Sequence, residues 1–354
     1  MKFRGLTLIS LIAAPLVDLM ACQSTPNPSK NTSSERSLEE ISTLPGEGIT
    51  VRPAISTWLD EQFTIQIVNI GLEELGYETE EPQQADYTAI NLAIANGDLD
   101  YTTAYYEPSH IDFFNNAGGD EMIARLGQLV PNGGLSGYLV DLKTATEYDL
   151  ANVEQLKDSE IATLFDTDGD GKANLAGCPP GWSCTDRIEH HLDAYELRDT
   201  VEHDSGNHTA ILADVVARYE AGEPILFFGY SPHWIFSILQ PEEDVSWLEV
   251  PFTSLPGDQE EFIETDTTTD GLNLGHVPTR ARILANKRFA QDNPVARRWF
   301  ELVMIPAADI NTESLRIRDG ENTPEDIRRH AEEWVTQNRE QVDQWLEEAR
   351  KATN

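Results

Sequence analysis

The chain has 354 residues, with 25 Lys+Arg against 62 Asp+Glu and a net charge of −37. Such a surface repels nucleic acid and anionic lipid headgroups, which excludes both as partners. It also repels itself unless salt shortens the Debye length, to ~3 Å at 1 M. The acidic residues are spread along the chain after its N-terminal segment, so they read as adaptation to a salty medium, against a mere aid to solubility.

Lys2 and Arg4 precede an apolar run from Leu6 to Val17. That run is too short for a membrane span and fits a signal-peptide core. It ends at Leu19-Met20-Ala21-Cys22, with Asp18 as the one off-pattern residue. Small and apolar residues leading into a Cys resemble a bacterial lipoprotein signal. The expectation is a signal peptide over 1–21, lipid on Cys22, and an exported protein anchored to the membrane by that lipid alone, against an ordinary secretory signal with an incidental Cys. Residues 22–43, rich in Ser, Thr, Pro and Asn, carry too little apolar surface to fold and read as a flexible tether. The remaining ~310 residues exceed one typical core, so two lobes are expected. Of the three cysteines, Cys22 is set aside for lipid, and an even pair in an oxidising compartment favours a Cys178–Cys184 disulfide.

In chain order, Gly48 to Pro53 reads as a strand. Trp58 to Leu75 reads as a helix, with Phe63, Ile67, Ile70 and Leu75 on its apolar face and Gly76 as its stop. Tyr77-Glu78-Thr79 opens a second strand, Tyr87 to Ala95 is helical and stops at Asn96-Gly97, and Leu99 to Tyr105 is again strand-like. This alternation is the signature of an α/β sheet with crossover helices, whose ligands sit beyond the carboxyl ends of the strands. A second α/β region starts near Gly137 to Val140. It includes a helix from Thr209 to Ala221 and a strand from Pro224 to Gly229. Helical patterns over Pro294 to Met304 and Pro324 to Ala349 close the chain.

Three segments place an aromatic residue in a loop beside Pro or Gly: Tyr105 to His110, Cys178 to Cys184, and Gly229 to Trp234. Two of them directly follow apolar strands. Any one could be a satellite of a core, but three together point to aromatic faces converging on one site.

At these residues the chain resembles the glycine betaine/proline betaine binding subunits of ABC importers. The resemblance is carried by Leu164 to Ala173, the Cys178 to Cys184 loop, Trp247 to Phe252, Leu255 to Asp258 and Ala307 to Asn311. It implies an α/β, type II periplasmic binding protein fold, with two lobes joined by a hinge crossed twice. The lobes are expected over 44–137 with 272–354, and over 138–271. It implies a box of three aromatics, Tyr106, Trp182 and Tyr230, around a quaternary ammonium, where the family often has Trp at all three. It also implies that His110 and the backbone N–H groups of Ser183 and Cys184 meet the ligand's carboxylate. The implied partners are glycine betaine or a related zwitterion and an importer permease, with the protein acting as a monomer. The ligand chemistry fits independently. A trimethylammonium has no N–H, so only cation–π contact reads it directly, at ~0.5 to 2 kcal/mol per ring. The alternatives are a solute-sensing lipoprotein, or a choline-type binder on the same fold.

Asp166, Asp168 and Asp170, followed by Gly171, resemble the first half of a calcium-binding loop, but position twelve is Gly177, not Glu. Calcium is therefore a candidate ligand there, against an Asx-rich turn, and no cofactor is required. His190 and His191 match no common metal spacing and read as structural. There is no G-x-S-x-G elbow, phosphate loop or H-E-x-x-H, so the chain is not expected to be an enzyme.

Overall fold

The computed structural model describes residues 44–352, apart from Asn132 and Gly181. The expected signal peptide, Cys22 and the tether lie outside the described residues.

Two five-stranded sheets share one plan. The first runs Gln83–Gln84, Pro53–Ile55, Tyr101–Glu107, Arg280–Asn286, Ile123–Leu126. The second runs Val201–Asp204, Ala173–Ala176, Leu226–Tyr230, Ser136–Asp141, Val245–Leu248. In each, the first three strands are parallel and the fourth is antiparallel to both of its neighbours. That fourth strand is the one beside a crossing between lobes. Ser136–Asp141 follows the outward crossing, and Arg280–Asn286 follows the return. The crossings pair: Gly134 N donates to Thr279 O at 2.6 Å, and Thr279 N donates to Gly134 O at 2.8 Å.

The return therefore falls at Thr279, later than the expected boundary at 272. Residues before it still pack on the second lobe. Val250 N donates to Asn273 O at 2.8 Å, and the His276 ring lies 5.9 Å from Tyr138 and 5.2 Å from Phe228. A boundary set by polarity alone misses this, because the apolar residues after Asp270 include Leu274, which is buried against Gly137 of the second lobe.

The local signals explain the elements. Helix Leu59–Glu74 buries Phe63, Ile67, Ile70 and then Leu75. Gly76 follows at φ +96°, a left-handed backbone that favours glycine. Helix Tyr87–Asn96 is capped by the Asp86 carboxylate and ends on Gly97 in the αL conformation. The C-terminal pattern divides into Pro324–Gln337 and Arg339–Arg350, because Asn338 leaves the helical backbone and its side chain donates to Trp334 O at 2.9 Å. Both helices bury a Trp, Trp334 and Trp345, in the first lobe's core. Helix Ala307–Arg318 reaches across to the second lobe. His233 N donates to Asn311 Oδ1 at 2.7 Å, and the Arg318 guanidinium lies 4.2 Å over Trp234.

Helix Leu59–Glu74 meets helix Pro294–Leu302 closely enough that Gly71 has no room for a side chain. A Cβ there would fall 2.1 Å from the Trp299 ring. Trp299 cannot swing away, because its Nε1 donates to Val68 O at 3.0 Å and the ring is fully buried. Gly71→Ala is expected to lower stability by about 1–3 kcal/mol through overpacking, read as a lower urea midpoint with an unchanged slope.

Candidate functional site

Strand ends and helix starts build the site. Tyr106 lies near the end of Tyr101–Glu107, and Tyr230 ends Leu226–Tyr230, the matching middle strand of the other sheet. Strand alternation separates the adjacent tyrosines: Tyr105 is buried in the core on one face, and Tyr106 packs on the other. Trp182 caps the N-terminus of helix Ser183–Ala194. Trp58 does the same for helix Leu59–Glu74.

These elements enclose a cavity of about 710 Å³ between the lobes. Tyr106, His110, Trp182, Ser183, Cys184 and Tyr230 all line it, as does Trp58. Trp58 is the common neighbour of the three box rings. Its ring centroid lies 4.7 Å from Trp182, nearly stacked, 5.1 Å from Tyr230 and 6.3 Å from Tyr106. Sequence reading counted Trp58 as the first residue of a helix. The signal that could have found it is the one used for the others, an aromatic just past the end of a strand, here Pro53–Ile55.

Behind the rings is a buried carboxylate. Glu61 is 0 % exposed. It accepts from Ser56 N at 2.7 Å, Tyr87 Oη at 2.9 Å and Tyr106 Oη at 3.2 Å. Burial pushes its pKa up, opposed by those bonds. A phenol that donates to a carboxylate gains electron density in its ring, which strengthens the π face that Tyr106 offers in place of Trp. Asp60, also buried, is bonded by Ser314 Oγ of helix Ala307–Arg318. Burial, with help from the Glu61 charge, raises Asp60 to about 7.

His110 is 8 % exposed, 4.2 Å from the Tyr87 ring. Burial lowers its pKa to about 3, opposed by a hydrogen bond to the Ala104 carbonyl. Its Nδ1 is buried without a partner. A neutral imidazole has one N–H, and the Ala104 carbonyl takes it. For His110 to donate to a carboxylate as well, the ring must be protonated, which burial opposes until the ligand's own charge arrives. The other expected donors are better placed. Ser183 and Cys184 open a helix of 12 residues, where N–H groups have no intrahelical acceptor and the dipole favours an anion.

Cys178 and Cys184 are joined in a disulfide with their Cα atoms 6.1 Å apart. The loop it closes is held at its base. Cys178 N donates to His203 Nε2 at 3.0 Å, and Ser205 Oγ donates to Cys178 O at 2.8 Å. Trp182 backs onto His208 with centroids 5.2 Å apart; burial lowers His208 to about 4.

The remaining candidates lie elsewhere. Asp166, Asp168 and Asp170 bring carboxylate oxygens within 4.8 Å of one another. Each accepts N–H groups of its own loop, from Gly169, Gly171, Asp170 and Lys172, as an Asx-rich turn does. His190 and His191 both bond Ser254, through its hydroxyl and its carbonyl, and His191 also bonds Tyr138 Oη at 2.8 Å.

Two α/β lobes around a cavity, joined by paired crossings, define the fold class of the periplasmic binding proteins. Solved structures share the fold. The glycine betaine, L-proline ABC transporter binding protein of Borrelia burgdorferi matches with a TM-score of 0.61, at 19% identity over 85% of this chain and 98% of its own. Lactococcal OpuAC, closed on glycine betaine, matches with a TM-score of 0.59, at 19% identity over 84% of this chain and 99% of its own. Within that class the family is set by sequence. Residues 49–337 match the substrate binding domain of the ABC-type glycine betaine transport system, and the chain belongs to that family. It is 45% identical to the glycine betaine-binding periplasmic protein OusX of Dickeya dadantii, over 87% of this chain and 92% of that protein. It is 43% identical to the glycine betaine/proline betaine-binding periplasmic protein of Escherichia coli, over 86% and 92% respectively.

Asp60 lines the cavity, so the negative potential there depends on pH. A cation placed in the cavity would favour ionised Asp60, so its affinity is expected to rise as pH passes through about 7. His110, His191 and His208, lowered to about 3, 3 and 4, stay neutral over this range. A carboxylate roughly 8–12 Å from a cation contributes about 1.4–2 kcal/mol at an effective dielectric near 20. Tetramethylammonium is therefore expected to bind up to about tenfold more tightly at pH 8 than at pH 6, and Asp60→Asn is expected to flatten the profile. Calorimetric titration across that range checks both.

Proposed function

We propose that this chain captures glycine betaine, or proline betaine, between its lobes and presents it to the permease of an ABC importer. The observation that carries this reading is the convergence of Tyr106, Trp182 and Tyr230 on one cavity, with the Trp58 ring centroid within 6.3 Å of all three. Four π faces suit a cation that has no N–H to donate. Glu61 and Asp60 add negative potential behind them. At the other end, the N–H groups of Ser183 and Cys184 suit a carboxylate. Choline carries the same ammonium without the carboxylate and would leave those donors unpaired, so a betaine is the better fit. The names of the 41–45% identical relatives agree with this reading.

Capture takes place outside the cytoplasm. The relatives are periplasmic by name, and a disulfide suits an oxidising compartment. Lipid on Cys22, with residues 22–43 as a tether, would hold the binding lobes near the permease.

Two experiments test these readings. Trp182→Ala is expected to weaken glycine betaine binding by more than tenfold, above ~1.4 kcal/mol, because the mutant loses a ring that also packs on Trp58. Near-wild-type affinity by calorimetry would remove the cage. Cys22→Ala is expected to move the protein from the membrane fraction to the soluble one with betaine affinity intact. Continued membrane association would exclude the lipid anchor.

A further inference from the structure

We propose that Arg187 is a second anchor for the ligand's carboxylate, and that it sets this site's preference for zwitterions over simple quaternary ammonium cations. The proposal rests on the ligand reading above and adds a residue to it.

Arg187 stands four positions after Ser183 on helix Ser183–Ala194. Long helical side chains lean back toward the N-terminus, so the guanidinium lies over the turn that presents the N–H groups of Ser183 and Cys184. It lines the same cavity as those residues and His110. Its partners are weak ones. Nη1 donates to Ser109 Oγ at 3.3 Å, and Nη2 reaches Ser183 Oγ at 3.5 Å. Nε is buried with no partner. The Ser109 contact crosses the cleft, since Ser109 follows a first-lobe strand and Arg187 belongs to the second lobe.

No carboxylate bonds the Arg187 guanidinium among the described residues; Asp186, its neighbour in sequence, acts on it only through its charge, behind burial and Tyr138 in effect. Among the described residues, Arg187 and Arg350 are the arginines without an ion pair. That is notable in a chain with 62 acidic residues. The rings whose pKa Arg187 depresses are Tyr138, His110, His191 and His276, all kept neutral by burial. A partly buried guanidinium without a counter-charge is costly. An anion entering the cavity would supply that counter-charge. The planar fork matches a carboxylate held by two parallel bonds.

The cavity is thus polar along its length. The carboxylates Asp60 and Glu61 back its aromatic end, and Arg187 stands where the helix N-terminus opens. A zwitterion with a quaternary ammonium at one end and a carboxylate at the other satisfies both ends. Choline satisfies one. His110, whose single N–H is engaged by Ala104, leaves the anion's charge chiefly to Arg187. A carboxylate there would also join Arg187 of one lobe to the His110 segment of the other, so binding and lobe closure draw on the same contact.

The test compares wild type, Arg187→Met and Arg187→Lys by calorimetry with glycine betaine and with choline, and by thermal melts without ligand. Arg187→Met should weaken glycine betaine by thirtyfold or more, change choline by threefold or less, and melt no lower than wild type. Arg187→Lys, which keeps the charge without the fork, should fall between. Unchanged betaine affinity in Arg187→Met would overturn the proposal. So would a parallel loss for both ligands, or a lower melting temperature without ligand, since either makes Arg187 a structural residue. If the wild type binds neither ligand, the betaine reading itself fails. A wild type that binds glycine betaine beside an unaffected Arg187→Met removes only the anchor.

Discussion

The whole arrangement depends on two backbone hydrogen bonds between the crossing segments, from Gly134 to Thr279 and back. They tie the outward and returning chains side by side at the hinge between the lobes. The same crossing sets the site. Ser231 N donates to Leu135 O at 2.7 Å, which holds the loop after Tyr230 against the hinge. A Cβ on Gly134 would fall 2.0 Å from the Ser231 carbonyl oxygen. Glycine is needed there because backbone meets backbone. The ring that closes one side of the cavity is therefore positioned by the element on which the lobes turn.

The second constraint is electrostatic. A chain of net charge −37 gains little from one more surface carboxylate, yet Asp60 and Glu61 are buried, where each charge acts through a low dielectric. They are compatible with burial because each is hydrogen-bonded: Glu61 by one amide and two phenols, Asp60 by Ser314. The bonds that make the carboxylates tolerable also orient Tyr106 and Tyr87. Buried negative charge and ring placement come from one network. Ser314 brings helix Ala307–Arg318 into it, and that helix also reaches the second lobe at His233 and Trp234.

The disulfide belongs to the same logic of local order. It joins residues only six apart in sequence, and closing so short a loop removes little unfolded-state entropy in the chain-entropy model. Its effect is concentrated on Trp182 and on the helix start that follows. The His203 and Ser205 bonds to Cys178 fix the loop from below, so the indole and the N–H groups are arranged before a ligand arrives.

Much of this was legible in the sequence, because the signals are local. Gly76 and Gly97 end helices by adopting positive φ, which few other residues do cheaply. The spacing of Phe63, Ile67, Ile70 and Leu75 specifies a buried helix face whatever it packs on. The aromatic loops could be named because strand, turn and ring are neighbours in the chain. Tertiary structure alone decided the rest. Trp58 joins the box only when three segments distant in sequence meet around it. Glu61 is one of 62 acidic residues, and nothing local separates a carboxylate that accepts from Tyr106 from one that faces water. Arg187 reads as an ordinary helical arginine until the fold denies it a carboxylate and turns it into the cleft. Burial and the absence of a counter-charge are properties of the packed molecule, so they exist only once the chain has folded.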